Sequence, residues 1–233
     1  VTEVLAEQAM ALFPEALPRR FGHFEPLQGR FGQVGAAGLT AAWQEGADWD
    51  LILGGSGLPC LGGGVYSGAP SDGLPRMWHL SLAFIGDTFR DAAWRDGLRA
   101  FFTAVADRAS ALYAKAEVVP GLTYSGQQLF YRYKDKSEQR PYDRGRGLLG
   151  VTRRPTWWAW FGGGYLPLVA AHLDRPPAKW RVTASAAGRL AELAEGPSPA
   201  AGLGHTWFPR QIRVRPGLLG PKPARLRPAE LLA

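Results

Sequence analysis

The chain has 233 residues, 46% hydrophobic and 20% charged, which supplies a sizeable core and excludes wholesale disorder. A single cysteine, Cys60, excludes an internal disulfide framework, and no apolar run approaches the roughly 18–20 residues that span a bilayer. The net charge of +7 is uneven: residues 1–100 hold 7 basic and 11 acidic groups, residues 132–154 hold 8 and 3, and residues 205–233 hold 6 and 1.

Basic stretches of this kind suit an acidic partner surface or nucleic acid, although arginine-rich coding in a GC-rich genome yields the same excess without a partner. The first residues lack a basic region followed by an apolar run, so no secretory signal is visible. With one cysteine, the expected location is the cytoplasm of a bacterium. Nine tryptophans are unusual; they either fill the core or line a contact surface.

Residues 2–13 read as a short amphipathic helix with Val4, Leu5, Met10, Leu12 and Phe13 on its apolar side, ended by Pro14 and Pro18. Residues 17–31, LPRRFGHFEPLQGRF, have no clean period. Glu25 among Arg19, Arg20 and Arg30 predicts an internal ion pair that fixes a coil, with the phenylalanines anchoring it; the alternative is an exposed recognition loop. A short helix then runs into a strand at 50–54, and the glycine- and proline-rich residues 54–75 read as loop or tight hairpin turns.

In MWHLSLAFIG, Trp78, Leu80, Leu82 and Phe84 alternate with smaller or polar residues, the period of a strand with one buried face. Asp87 or Thr88 offers a helix cap with Asp91 as its capping-box partner, and Asp91–Arg95 is a favourable i,i+4 pair. The helix reaches about residue 113 on a stripe of Trp94, Leu98, Phe101, Val105 and Leu112, with Gly97 costing about 1 kcal/mol against Ala in its middle. YAKAEVV gives the next strand and completes a strand–helix–strand unit. Residues 124–156 are polar and basic apart from a strand or helix fragment at QQLFYRY. An aromatic strand at 157–161, a glycine turn and a short helix at 165–173 follow, then a strand in WRVTASAAGRLAELAEGP with a further turn or helix. The last 25 or so residues, rich in proline, are expected to wrap the surface or fray.

No catalytic constellation emerges. GGGVYSG and FGGGY lack the spacing of a phosphate loop, and Ser56 lacks the final glycine of a nucleophile elbow. His23, His79, His172 and His205 are scattered without metal-ligand spacing, so no cofactor or metal site is expected, and the chain does not read as an enzyme. What stands out is cation mixed with aromatic: Tyr131, Arg132, Tyr133, Lys134, Arg140, Arg144, Arg146, Arg153 and Arg154. Such a run grips an acidic protein, or single-stranded nucleic acid by stacking and phosphate contact, or is a solvated loop with its tyrosines tucked inward.

Three segments together resemble a known family. LPRRFGHFEP is similar to the LP-x-R-[YF]-G-x-x-E-P segment of bacterial immunity-type proteins of polymorphic toxin and type VI secretion systems. Phe161, Gly162, Tyr165 and Leu168 match its FG-x-x-Y-x-x-L, and Gly188, Leu190, Leu193 and Pro197 a later Gly/Leu/Pro segment, in the same order. Residues 54–75 and the basic stretch after 131 have no counterpart in that pattern. The resemblance implies a cytosolic α+β protein that neutralises a cognate toxin by direct contact, without catalysis.

The expected fold is therefore α+β, a mixed or antiparallel sheet with helices packed on one face and long Gly/Pro-rich loops. One domain, 1–233, is expected; the alternative within it is two loosely similar strand–helix–strand halves at about 1–122 and 123–233. The expected partner is a toxin or other acidic protein, with nucleic acid as the alternative and no membrane. The expected contact residues are Arg19, Arg20, Arg30 and the run from Tyr131 to Arg154.

Overall fold

A computed structural model describes residues 1–46, 50–67, 78–118, 122–125, 128–131, 142–143, 147–148, 156–193 and 196–198. The protein is α+β, with four helices and two main antiparallel sheets among the described residues. It divides into two compact units, Val1–Ser110 and Ala111–Ala233. No described helix is long and apolar enough to cross a membrane.

The first unit opens with α1 (Thr2–Leu12), a run of good helix formers with Glu3 in the first turn, where a carboxylate complements the helix dipole. Its buried side is Thr2, Leu5, Ala6 and Ala9; of the stripe expected, Leu5 and Phe13 are buried, whereas Met10 and Leu12 face solvent. The reason is steric: the two alanines let α1 lie close to its helical neighbours. Pro14 then begins a 3-10 turn, Pro14–Ala16.

Residues 17–31, expected as a coil, form a small hairpin of β1 (Arg20–Gly22) and β2 (Gly29–Arg30). Phe21 is buried against the core, and its ring occupies the space where Gly29 would carry a side chain. Glu25 is exposed and makes no ion pair among the described residues, so the hairpin is held by backbone pairing and Phe21 rather than by charge. Next come α2 (Phe31–Glu45), interrupted at Gly35 with φ 61°, then β3 (Leu51–Gly57), β4 (Cys60–Ser67) and β5 (Trp78–Phe84). The sheet order is β2-β1-β3-β4-β5, antiparallel throughout.

The glycine-rich stretch expected as loop or tight hairpin turns is thus strand as far as Ser67, with one tight hairpin turn at 58–59 between β3 and β4; residues 68–77 lie outside those described. Composition misleads because several of these glycines answer close approach, while Gly57, with φ 118° beside the hairpin turn, answers turning. A side chain at Gly63 would run into the carbonyl oxygen of Ser81 on β5, and one at Gly55 into that of Cys60.

After a 3-10 turn (Gly86–Arg90), α3 (Ala92–Arg108) begins at Asp91, whose carboxylate accepts the Ala93 N–H at 2.8 Å and the Trp94 N–H at 3.3 Å. Asp91 is itself the cap, displacing Asp87 and Thr88 from that role, and Arg95 donates to the carbonyl oxygens of Phe89 and Arg90 rather than pairing with it. All three helices lie on one face of the sheet. There Trp43 of α2 meets Trp78 at 4.8 Å between ring centroids, and Phe13 meets Phe84 at 5.9 Å. Phe13 also touches Phe89, Trp94 and Phe101, and its ring lies across Gly97, where an added Cβ would stand 3.1 Å away. Gly97 therefore has its compensation in packing.

Cys60 is buried, and burial raises its thiol above the ordinary value, against the opposing pull of backbone hydrogen bonds at Gly62 and Ser56. A raised folded value means that the thiol's stabilising contribution is complete at neutral pH and is lost as pH rises above the ordinary thiol range, because the unfolded chain ionises first. Native protein at pH 7.5 is expected to resist iodoacetamide for hours and to alkylate fully in denaturant, as mass spectrometry would show.

The second unit holds β6 (Tyr113–Ala116), a hairpin of β7 (Leu122–Ser125) and β8 (Gln128–Tyr131), a short pair β9 (Tyr142–Asp143) and β10 (Gly147–Leu148), then β11 (Trp158–Gly162), α4 (Tyr165–Leu173), β12 (Trp180–Ala184) and β13 (Gly188–Leu193). Its main sheet runs β12-β13-β11-β6. Two expectations change here. The strand, helix and strand of the expected unit all form, as β5, α3 and β6, but β5 and β6 belong to different sheets, and GRLAEL is a strand rather than a turn or helix. The aromatic strand, glycine turn and helix stand as expected. Trp157, Trp158, Trp160 and Trp180 are all buried, so these tryptophans build core. Glu192, also buried, is ion-paired across the strands with Arg181.

Candidate functional site

The register of the five-stranded sheet decides which side chains share its other face, the one away from the helices. Arg30, Arg20, Gly54, Gly62 and Ala83 form one row across the strands. Two residues further along, Gly22, Ile52, Gly64 and Ser81 form the next, and beyond it Tyr66 stands opposite His79. Because side chains alternate along a strand, all of these point to one face, while Phe21, Leu51, Leu53, Val65, Leu80 and Leu82 point to the helices.

The glycines along that face form a floor roofed by neighbouring side chains, and Gly62 and Gly64 are buried. Tyr66 leans back over Gly64, whose Cβ position is 2.7 Å from the Tyr66 Oη, and Leu27 reaches over Gly54, at 3.0 Å from its Cβ position. The loop that carries Leu27 is tied down by His23. The ring of that histidine stands between the carbonyl oxygens of Asp50, 2.9 Å from Nδ1, and of Ala42, 2.9 Å from Nε2, in the last turn of α2. Gly46 leaves room for this ring. His23 is thus structural: it joins hairpin, helix end and strand. Phe24 protrudes from the same loop, 63% exposed.

At one end of the floor lies the charge. Arg19, Arg20 and Arg30 are all exposed, and none is ion-paired to a carboxylate among the described residues. Arg20 and Arg30 are direct cross-strand partners. Side chains so placed start from Cβ atoms roughly 4.5–5.5 Å apart, where like charges destabilise the pairing. The neighbouring Arg19 backbone accepts from Phe31 N–H and donates to the Gly54 carbonyl, which fixes the strand at this point. At the far end, Tyr66 and His79 are in ring contact at 5.8 Å, with His79 exposed.

Of the residues expected to bind a partner, the structure sets Arg20 against Arg30, with Arg19 preceding Arg20 in the chain. Tyr131 closes β8, and Arg132, Tyr133, Lys134, Arg140, Arg144, Arg146, Arg153 and Arg154 lie outside the described residues. No protein-family model, curated protein or solved structure matches the chain. Tyr66, His79 and the glycine floor were not among the expected contact residues. The signal for His79 is present in the alternation of β5, which assigns His79, Ser81 and Ala83 to the face opposite Trp78 and Leu80. Among the described residues no group of three His, Cys, Asp or Glu side chains is placed to hold a metal ion.

Proposed function

We propose that the chain is an immunity-type binding protein that neutralises a cognate toxin by direct contact in the bacterial cytoplasm. The observation that carries this reading is the pair Arg20–Arg30, face to face, solvent-exposed and uncompensated among the described residues. Two guanidinium groups held side by side lower their own energy when a partner carboxylate arrives, and a planar fork suits bidentate carboxylate recognition. The family resemblance of LPRRFGHFEP, which contributes both Arg19 and Arg20, adds the kind of partner. Electrostatic attraction between a cationic patch and an acidic toxin surface would speed their encounter.

The test is co-expression with the reading frame encoded directly upstream of this gene. Expression of that frame alone is expected to arrest growth, and co-expression of this chain to restore it, with a saturable, stoichiometric complex on gel filtration and no turnover. Continued arrest with both chains soluble overturns the reading. So does tight binding to single-stranded oligonucleotides that falls steeply with salt, which would make the basic stretch 132–154 a nucleic-acid site.

A further inference from the structure

We infer that the chain forms a two-fold dimer through the outer edge of β5, which pairs antiparallel with β5 of a second copy about an axis at Ser81. This contact is separate from the arginines proposed for the toxin and does not depend on that reading.

Edge strands expose a row of backbone donors and acceptors, and folded proteins protect them with brevity, proline or a charged side chain. Among the described residues the two main sheets have four edge strands, β2, β5, β6 and β12. β2 is two residues long and carries Arg30, β6 carries Lys115, and β12 carries Arg181. β5 has no such protection. It is seven residues long, about 24 Å of strand, with neither charge nor proline in WHLSLAF. Its own unit does not cover it either. Trp78 is 41% exposed, Leu80, Leu82 and Phe84 are only half-buried, and no residue of the strand is fully buried, whereas β3 and β4 bury Leu51, Leu53 and Val65.

Pattern and charge select a second copy as the occupant. Leu80 and Leu82 flank Ser81, and the aromatic residues Trp78 and Phe84 close the two ends, so the strand reads alike in both directions. A two-fold axis at Ser81 therefore sets leucine against leucine and Trp78 against Phe84 on one face of the joined sheet, with His79 against Ala83 on the other. Such an axis brings a charge near its centre toward its own kind, so a self-pairing edge needs to be neutral, as this one is. An acidic or basic partner segment would instead call for an opposite charge on β5. Because each copy uses the same edge, the assembly closes at two.

The experiment uses the full chain. At high micromolar concentration the wild type is expected to sediment as a dimer. Ser81→Lys places two ammonium groups against each other at the axis and should weaken association about tenfold or more, while circular dichroism stays native. Cysteine variants read the register and do not depend on the lysine variant folding. The Cα atoms of directly opposed residues lie about 4.5–5.5 Å apart, within the span of a disulfide, so mild oxidation of Ser81→Cys should give a covalent dimer. Wild type, whose one cysteine is the buried Cys60, should give none. Ala83→Cys should not cross-link to itself, since the two cysteines would stand about 13 Å apart along the strands, but should cross-link to His79→Cys when the two variants are mixed. A monomeric wild type overturns the proposal. So does a dimer that Ser81→Lys leaves intact, a Ser81→Cys chain that stays uncross-linked, or a covalent dimer from Ala83→Cys alone.

Discussion

Phe13→Ala is expected to destabilise the first unit by about 3–5 kcal/mol, among the largest effects a single side chain in this unit can have. Phe13 is 3% exposed and is the meeting point of Phe84, Phe89, Trp94 and Phe101, with centroids between 5.9 and 6.3 Å away. It stands where α1 ends, so it links that helix to the strand β5 and to α3. Removing the ring empties the space over Gly97 as well, and backbone there has no side chain with which to fill it. With a urea slope of about 2 kcal/mol per molar, the denaturation midpoint should fall by about 1.5–2.5 M. Phe13→Leu keeps much of the volume and should lose less than half of that. A fall below about 0.5 M for the alanine variant would show that the cluster closes over the gap and that no one ring organises it.

How much of this is legible in the sequence follows from what each residue answers to. Residues that answer to local periodicity declare their element: α1, β5 and the β11–α4 pair all carry their own pattern. Residues that answer to a neighbour distant in sequence do not. Gly63 is glycine because of Ser81, Gly29 because of Phe21 and Gly46 because of His23, and none of these pairings shows in a window of adjacent residues. A glycine-rich stretch therefore looks the same whether it turns or is approached. The site is half legible for the same reason. Arg19, Arg20 and Arg30 declare themselves by type, but only the register sets Arg20 against Arg30, and only the sheet order puts Tyr66 and His79 on their face. Glu25 joins that cluster only where sequence distance stands in for space; the hairpin turns it out to solvent instead.

The same distinction gives the motif residues of the second unit a physical role, and Trp160→Ala tests it. Trp160 is fully buried in β11, and its indole N–H donates to the Ala111 carbonyl at 3.0 Å. The ring lies over Gly188, whose Cβ position is 2.7 Å from two of its atoms, and beside Gly162, whose Cβ position is 3.1 Å from Nε1. Both glycines belong to the segments that resemble the immunity-type family, and both are approached still more closely by backbone, the Ala111 carbonyl oxygen at Gly162 and that of Phe161 at Gly188. The alanine variant loses the ring's burial and strands the carbonyl, a cost of about 3–5 kcal/mol. Since each 1.4 kcal/mol is a factor of ten in an opening equilibrium, hydrogen exchange of the β11 amides should quicken by about two to three and a half powers of ten. Trp160→Phe separates the two contributions: it keeps most of the packing and drops the hydrogen bond, and should cost about 1–2 kcal/mol. Equal acceleration in both variants would place the whole effect in the N–H···O contact and none of it in the packing of the ring.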